Sequence, residues 1–164
     1  MLQGIFKLGA SLAAVVLAAG LAGCDGSNIT INGKEGVPLA DLDLSGDPPT
    51  VLVLAGPDSV QVTDGDTLTI KVEGDQAAID AMRFSRDGKT LAIMRLDGSW
   101  KDTGKAKVFV TMPSPEELTL LASGTIEADS LARDASVQVL GSGKVTVARV
   151  AADSLNVNIA GSGS

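Results

Sequence analysis

Residues 118–147 read LTLLASGTIEADSLARDASVQVLGSGKVTV, and this stretch decides the fold because it repeats itself. An alternating strand, a Ser-Gly turn and a second short strand occur twice within it. The turns Ser123-Gly124 and Ser142-Gly143 are followed by a third, Ser162-Gly163, at spacings of 19 and 20 residues. A fixed period of this length, with strands and glycine corners, is typical of a β-solenoid.

The strands of this repeat alternate apolar and polar residues, which predicts one buried face and one exposed face. In Val137-Gln138-Val139 and Val157-Asn158-Ile159, the apolar residues are expected to point inward and to stack on the next layer. Glycine suits the corners because it lacks a Cβ atom that would clash at positive φ. An antiparallel sandwich is the alternative, but it gives no reason for one turn chemistry to recur at a fixed interval.

More strands are predicted upstream of the repeat, separated by turns rich in glycine, aspartate and proline. Asp75 can cap one or two helical turns, and Asp87-Gly88 suits the tight turn of a hairpin. The fold class is therefore all-β: a short parallel β-helix, or β-solenoid, with rungs of about 20 residues. The upstream strands are predicted at Val51–Leu54, Ser59–Val62, Leu68–Val72, Arg83–Arg86, Lys89–Ile93 and Lys107–Met112.

The start of the chain has the layout of a secretory signal, with Lys7 followed by an apolar run. Leu21-Ala22-Gly23-Cys24 resembles the lipobox of bacterial lipoproteins, in which the signal is cleaved before a cysteine that is then lipidated. We therefore predict a helical lipoprotein signal peptide at residues 1–23 and lipid attachment at Cys24. An uncleaved membrane helix is the alternative, because residues 5–23 are barely long enough to span a bilayer.

A lipidated Cys24 predicts a protein of the bacterial cell envelope, anchored to a membrane and facing the periplasm. Asp25 resembles the inner-membrane retention signal of enteric lipoproteins, a rule that does not hold in all Gram-negative groups, so either membrane remains open. Residues 25–49 are rich in glycine, aspartate and proline, and the first part of this region, residues 24–36, is predicted to be a flexible tether. The remaining residues, 37–164, are predicted to form one β-solenoid domain.

Composition excludes several classes of function. The 164 residues include no histidine and one cysteine, so the common catalytic triads and zinc sites cannot be built. We expect no cofactor and no metal, and a net charge of −7 disfavours nucleic acid as a partner. Twenty acidic residues leave a carboxylate pair formally possible, with candidates chosen by proximity alone. These candidates are Glu116, Glu117, Glu127 and Asp129.

Four short motifs, in this order and spacing, resemble the auto-transporter adhesin head domains called GIN domains over about residues 29–164. The resemblance implies a right-handed β-helix of few rungs, in secreted or lipid-anchored envelope proteins without known catalysis. Members of the family often continue past the last Ser-Gly turn, so the final rung here is expected to be half open and to invite a partner or a second copy. The motifs are Val60-Gln61-Val62 with Gly65-Asp66, Asp87 to Ile93, Val108 to Pro113, and Gly161-Ser162-Gly163.

The expected function is a non-enzymatic adhesion, scaffold or glycan-binding module of the envelope. Its expected partners are the membrane, through Cys24, and a glycan or an envelope protein. Trp100 lies in a polar loop and is a candidate to stack on a sugar ring, although it can equally cover an open end of the stack.

Two other functions stay open. A hydrolase of envelope polysaccharide rests on fold analogy alone, and two buried acids about 5–10 Å apart would favour it. A structural subunit that polymerises through its open end is the third possibility.

Overall fold

The computed structural model describes residues 30–31, 33–96 and 103–164, and nearly all of their regular structure is strand. This part of the chain is all-β, as the sequence predicts for it. One short helix, α1, spans Gln76–Ala81, and a single 3-10 turn spans Leu39–Asp41. The first seven strands are β1 (Thr30–Ile31), β2 (Lys34–Glu35), β3 (Val51–Ala55), β4 (Ser59–Asp64), β5 (Thr69–Gly74), β6 (Met82–Asp87) and β7 (Thr90–Arg95).

The repeat produces the strands of the second half, each close to its predicted position. Wherever apolar and polar residues alternate, the burial of the strand alternates in the same way, as it does along β8. The later strands are β8 (Ala106–Met112), β9 (Glu117–Leu120), β10 (Thr125–Ser130), β11 (Asp134–Gly141), β12 (Lys144–Arg149) and β13 (Ser154–Gly161).

Two sheets enclose the core. The first sheet has six strands in the order β13-β11-β9-β3-β7-β6, and the second has five in the order β12-β10-β4-β8-β5. Inward apolar residues of both sheets, such as Leu118 from the first and Val108 from the second, belong to one buried cluster. A strand of the first sheet and the strand of the second sheet that follows it in the chain are called a layer below.

The layers stack in register with the period of the sequence. Leu118 pairs with Val137, and Val137 pairs with Val157, so the separations are the predicted 19 and 20 residues. In the second sheet, Ile126 pairs with Val145 in the same way. All of these ladders are parallel, because the chain crosses to the other sheet and returns before it forms the next strand of the same sheet.

The order of the layers differs from the order of the chain. The β3–β4 layer comes first along the chain, yet it lies between the β7–β8 and β9–β10 layers. All of the strands in these three layers pair in parallel across the layer boundaries. The chain therefore starts in the middle of the stack, adds a layer on one side and then continues on the other side.

The sheets are mixed rather than uniformly parallel. β6 pairs with β7 in an antiparallel ladder because residues 88–89 connect them, and so short a link only permits a hairpin. β5 also pairs antiparallel, with β8. β5 follows β4 after a short turn and runs in the opposite direction to it. Because β8 is parallel to β4, β5 and β8 are antiparallel.

The corner glycines are needed for a reason that the sequence did not reveal. Positive φ is found at Gly141 (147°), whereas Gly143 in the Ser-Gly turn does not have it. A Cβ atom on Gly143 would lie 2.4 Å from the carbonyl oxygen of Gly124 in the layer beneath. The Ser-Gly corner therefore requires glycine because successive layers approach closely, and the explanation by positive φ was wrong for that residue.

One end of the stack is covered. Leu39 and Leu42 pack against the core there, and Ala78 of α1 is fully buried. Val37 extends the β6 edge through two backbone hydrogen bonds of 2.8 Å with Phe84. Short segments thus close the core at this end, as the termini of stacked-layer proteins require.

Candidate functional site

The other end of the stack, formed by β12 and β13 and called the open end below, exposes apolar side chains. Val157 is 53% exposed and Ile159 is 48% exposed. Their partners in the layer beneath, Val137 and Val139, are buried at 7% and 1%. Register and residue type are matched between the two layers, so the exposure arises because nothing among the described residues stacks on β13.

Exposed large apolar residues concentrate at this end. The described residues include six of them, and four lie at or after residue 150. On an otherwise acidic protein, a cluster of exposed apolar side chains is a common feature of interaction surfaces. The four residues are Val150, Leu155, Val157 and Ile159.

The edge of β13 lacks the features that usually protect a sheet edge. Its eight residues include no charge and no proline. The β5 edge, at the covered end, carries Lys71 and Glu73, whose side chains form an ion pair of 2.6 Å. Charged edges resist pairing with other chains, whereas a long neutral edge is a template for it.

The backbone groups at the open end can be assigned from the ladder. The Ser154 amide donates to the Arg133 carbonyl, so the backbone N–H and C=O groups of the even-numbered residues of β13 point to β11. The N–H and C=O groups of Leu155, Val157 and Ile159 therefore point to the free edge. The residues whose side chains are apolar and exposed are thus also the residues whose backbone groups are available for pairing.

Polar uncharged side chains cover the outer face of the same layers. Gln138 pairs in register with Thr119 on one side and with Asn158 on the other. The Gln138 amide donates to the Glu117 carboxylate over 3.2 Å, and Thr119 donates to the same oxygen over 3.0 Å. Asn156 lies in register with Ser136. The outer face of the final layers is therefore a strip of amides and hydroxyls.

The carboxylates considered for hydrolysis do not form a buried pair. Glu116 and Glu127 are exposed, and Glu117 and Asp129 are half-buried. Among the described acidic residues only Asp58 is buried, and its carboxylate is held in an ion pair. The arrangement that would favour a glycosidase is therefore missing from the described part of the chain.

A cleft of about 410 Å³ lies at the covered end, beside β6. Two of its charged groups, those of Arg86 and Asp43, are engaged within the protein. The Arg86 guanidinium donates to the carbonyls of Ser45 and Asp47. The hydroxyl and the backbone amide of Ser45 donate to Asp43 and lower the pKa of that carboxyl below its usual 3.8. These contacts hold residues 43–47 against the edge strand β6, which is a structural role.

Two residues singled out from the sequence, Cys24 and Trp100, lie outside the described residues. The described chain brings together no group of three side chains suited to hold a metal ion. No helix among the described residues has the length and apolar character needed to cross a bilayer.

The sequence predicts part of this apolar row. The alternation of residues 157–159 predicts that Val157 and Ile159 share one face of a strand, and both lie on one face of β13. Leu155 extends the row, and its spacing of two from Val157 is the sequence signal for it.

Comparison with known proteins agrees with the order of motifs along the chain. A protein-family model described as "Putative auto-transporter adhesin, head GIN domain" matches residues 48–164. A search of curated proteins found no significant match. The matched segment begins just before β3 and includes both sheets and the open end.

Proposed function

The chain belongs to the family of auto-transporter adhesin head GIN domains, and from that premise we propose a non-enzymatic, lipid-anchored envelope module that binds its partner at the open end. Family membership supports an adhesion-type role at the bacterial surface or envelope. The observation that carries the proposal is the exposure of Val157 in an uncharged strand whose outer edge pairs with no other described strand.

The solenoid character is part of this proposal. From β9 to β13 the strands alternate between the two sheets and stack at the period of the sequence, which supports a solenoid. In this proposal each turn of the chain is one rung of a short β-helix, with the right-handed sense that the family resemblance implies. A solenoid buries its apolar residues only where another layer lies on each side. Among the described residues no layer lies over β13, and its exposed apolar side chains support the proposed binding surface.

Anchoring at Cys24 would hold this surface near a membrane, facing the periplasm. The segment between the anchor and Val37 is short and rich in glycine and asparagine, which suits a tether. The variant Cys24→Ser is expected to lose labelling by a radioactive fatty acid and to remain an unprocessed precursor. A mutant that is still processed and still fractionates with membranes would remove the anchor from the proposal.

The binding role is tested by photo-crosslinking in cells that produce the full chain. Val157 is replaced by the photoreactive residue benzoylphenylalanine, and Leu44 is replaced in a control. Both side chains are apolar and exposed, but Leu44 belongs to the segment packed at the covered end. Irradiation is expected to give covalent adducts from position 157 and none from position 44. A chain that yields no adduct from position 157 would refute the proposal.

The strip of amides and hydroxyls supports a second candidate, glycan binding. Gln138 and Asn158 lie side by side in register on the outer face, and amide side chains are common hydrogen-bonding partners of sugar hydroxyls. The double variant Gln138→Ala/Asn158→Ala is expected to lower binding of the full chain to isolated peptidoglycan about tenfold or more. Unchanged binding would eliminate the strip as a glycan site.

A further inference from the structure

We propose that the outer face of the second sheet binds a linear acidic polysaccharide, with a sugar ring stacked on Phe109 and a sugar carboxylate bound by Lys107. The site lies on β4, β8 and β5, so it is separate from β13 and goes beyond the proposed function. Nine outward side chains of these strands form the site, which is called the Phe109 face below. They are Ser59, Gln61 and Thr63 of β4, Lys107, Phe109 and Thr111 of β8, and Thr69, Lys71 and Glu73 of β5.

The two ladders of β8 place Phe109 at the centre of this face. Phe109 pairs with Gln61 of β4 on one side and with Lys71 of β5 on the other. Along β8 itself, Lys107 and Thr111 share the outward direction of Phe109 because side chains alternate along a strand. None of the nine residues is buried. The face therefore surrounds one half-buried phenyl ring with polar side chains.

The ring of Phe109 is not part of the core. The described residues contain one other aromatic side chain, Phe84, and it is buried. On β8 the core is filled by Val108 and Val110, so Phe109 lies at a position where the alternation calls for a polar residue. An aromatic ring among hydrogen-bonding groups suits a sugar, because the C–H groups of a pyranose stack on the ring while its hydroxyls bond to the neighbours.

The polar neighbours of the ring suit the hydroxyls of a sugar chain. Thr63, Thr111 and Thr69 form one row across the three strands. A hydroxyl both donates and accepts hydrogen bonds, and so does the amide of Gln61. Neighbouring strands lie about 4.8 Å apart, so the row offers regularly spaced hydroxyls to an extended polymer that crosses the strands.

Lys107 explains the preference for an acidic sugar. Its Nζ lies 5.2 Å from the centroid of the Phe109 ring, which is a cation–π contact. Such a contact is weak at an exposed site, so a ligand that stacks on the ring displaces the ammonium group. A neutral sugar offers nothing in exchange, whereas a sugar carboxylate gives the ammonium group a charge-assisted hydrogen bond. Stacking on Phe109 and pairing with Lys107 are therefore coupled.

The charge of the Phe109 face is complementary to such a ligand. The nine residues include two bases and one acid, although the whole chain has a net charge of −7. Lys71 and Glu73 form an ion pair of 2.6 Å, whereas Lys107 has no carboxylate partner among the described residues. Glu127 borders the face beside Gln61, on the side away from β5. The ligand carboxylate is therefore placed over β8 and β5.

The site is tested by isothermal titration calorimetry of the full chain in detergent, with an oligomer of galacturonic acid as the probe. We expect a Kd of about 1 mM or tighter. Phe109→Leu keeps an apolar side chain without the ring and is expected to weaken binding at least about tenfold. Lys107→Gln should weaken binding and reduce its dependence on salt. Thr125→Ala, on the same outer face two strands from Phe109, is the matched control and should bind as the unchanged chain does.

Two further probes separate stacking from charge. The same oligomer with methyl-esterified carboxylates keeps the sugar rings and loses the charge, and poly-glutamate keeps the charge and lacks the rings. Each is expected to bind at least about tenfold more weakly than the galacturonic acid oligomer. Poly-glutamate that binds as tightly as the oligomer would overturn the inference, because charge alone would then account for binding.

Other outcomes also overturn the Phe109 site. Absence of binding by the oligomer does so, as does a Phe109→Leu variant that is folded by far-ultraviolet circular dichroism and binds without loss. Binding that survives Phe109→Leu and is lost in Gln138→Ala/Asn158→Ala would assign the glycan to the first sheet instead. The adducts from position 157 are measured independently of these titrations, so either result can fail without the other.

Discussion

Arg95 holds the carboxylate of Asp58 in the interior with two hydrogen bonds, one of 2.8 Å from Nε and one of 2.5 Å from Nη2. The side chains are 0% and 1% exposed. Asp58 also accepts from the Ala106 amide, and Arg95 donates to Thr103 and to the Gly104 carbonyl. The pair therefore joins the β3–β4 corner to the end of β7 and the start of β8, which lie in adjacent layers.

Removing one partner of this pair is expected to be costly. Asp58→Ala leaves the Arg95 guanidinium buried without a counter-charge, so we expect a loss of about 3–5 kcal/mol in the free energy of unfolding, measured in urea. The exposed pair of Arg133 and Asp153, at 3.8 Å, supplies a control, and Asp153→Ala should change stability by less than about 0.5 kcal/mol.

Replacing both partners is expected to cost less than replacing one. In the double variant Asp58→Leu/Arg95→Met no buried charge is left unpaired, so stability should recover by at least about 1 kcal/mol relative to Asp58→Ala. Equal losses in the single and double variants would show that packing rather than charge accounts for the effect.

The close approach of layers predicts a difference between two glycines. A Cβ atom at Gly143 would lie 2.5 Å from Cδ2 of Leu120, so Gly143→Ala should destabilise the protein by about 1–3 kcal/mol. At Gly56 the nearest atom would be 3.6 Å away, and Gly56→Ala should be neutral or stabilising by up to about 1 kcal/mol. Thermal and urea unfolding provide the comparison; similar effects at both sites would contradict the close contact.

Shortening a leucine side chain should destabilise the protein more in the middle of the core than at β13. Leu118 is fully buried, so Leu118→Ala should cost about 2–5 kcal/mol. Leu155 is 42% exposed, and Leu155→Ala should cost less than about 1 kcal/mol. Equal losses at Leu118 and Leu155 would contradict the difference in burial.

The covered end supplies a prediction about pH. The Ser45 hydroxyl and amide stabilise the charged form of Asp43, so its pKa is below 3.8 in the folded protein. The resulting stabilisation is present above the unfolded pKa and is lost as pH falls through the folded pKa. An NMR titration should show the lowered pKa, and Ser45→Ala should raise it. An unchanged titration in the variant would assign the effect elsewhere.

Much of the architecture could be predicted because it depends on short-range pattern. The alternation around Val137 and Val157 sets which face is buried, and the Ser-Gly spacing sets the register between layers. The Arg95–Asp58 pair was not predicted, since a charged residue at the end of an apolar strand does not identify its partner 37 positions away.

The sequence by itself determined that this is an all-β protein with stacked layers near 20 residues in period and an apolar final strand around Val157. Only the tertiary structure decided that the β3–β4 layer lies inside the stack and that Leu39, Leu42 and α1 cover one end of it. Periodicity is a local property that each strand carries in its own residues. The neighbours of a layer depend on pairing between distant segments, which local patterns do not encode.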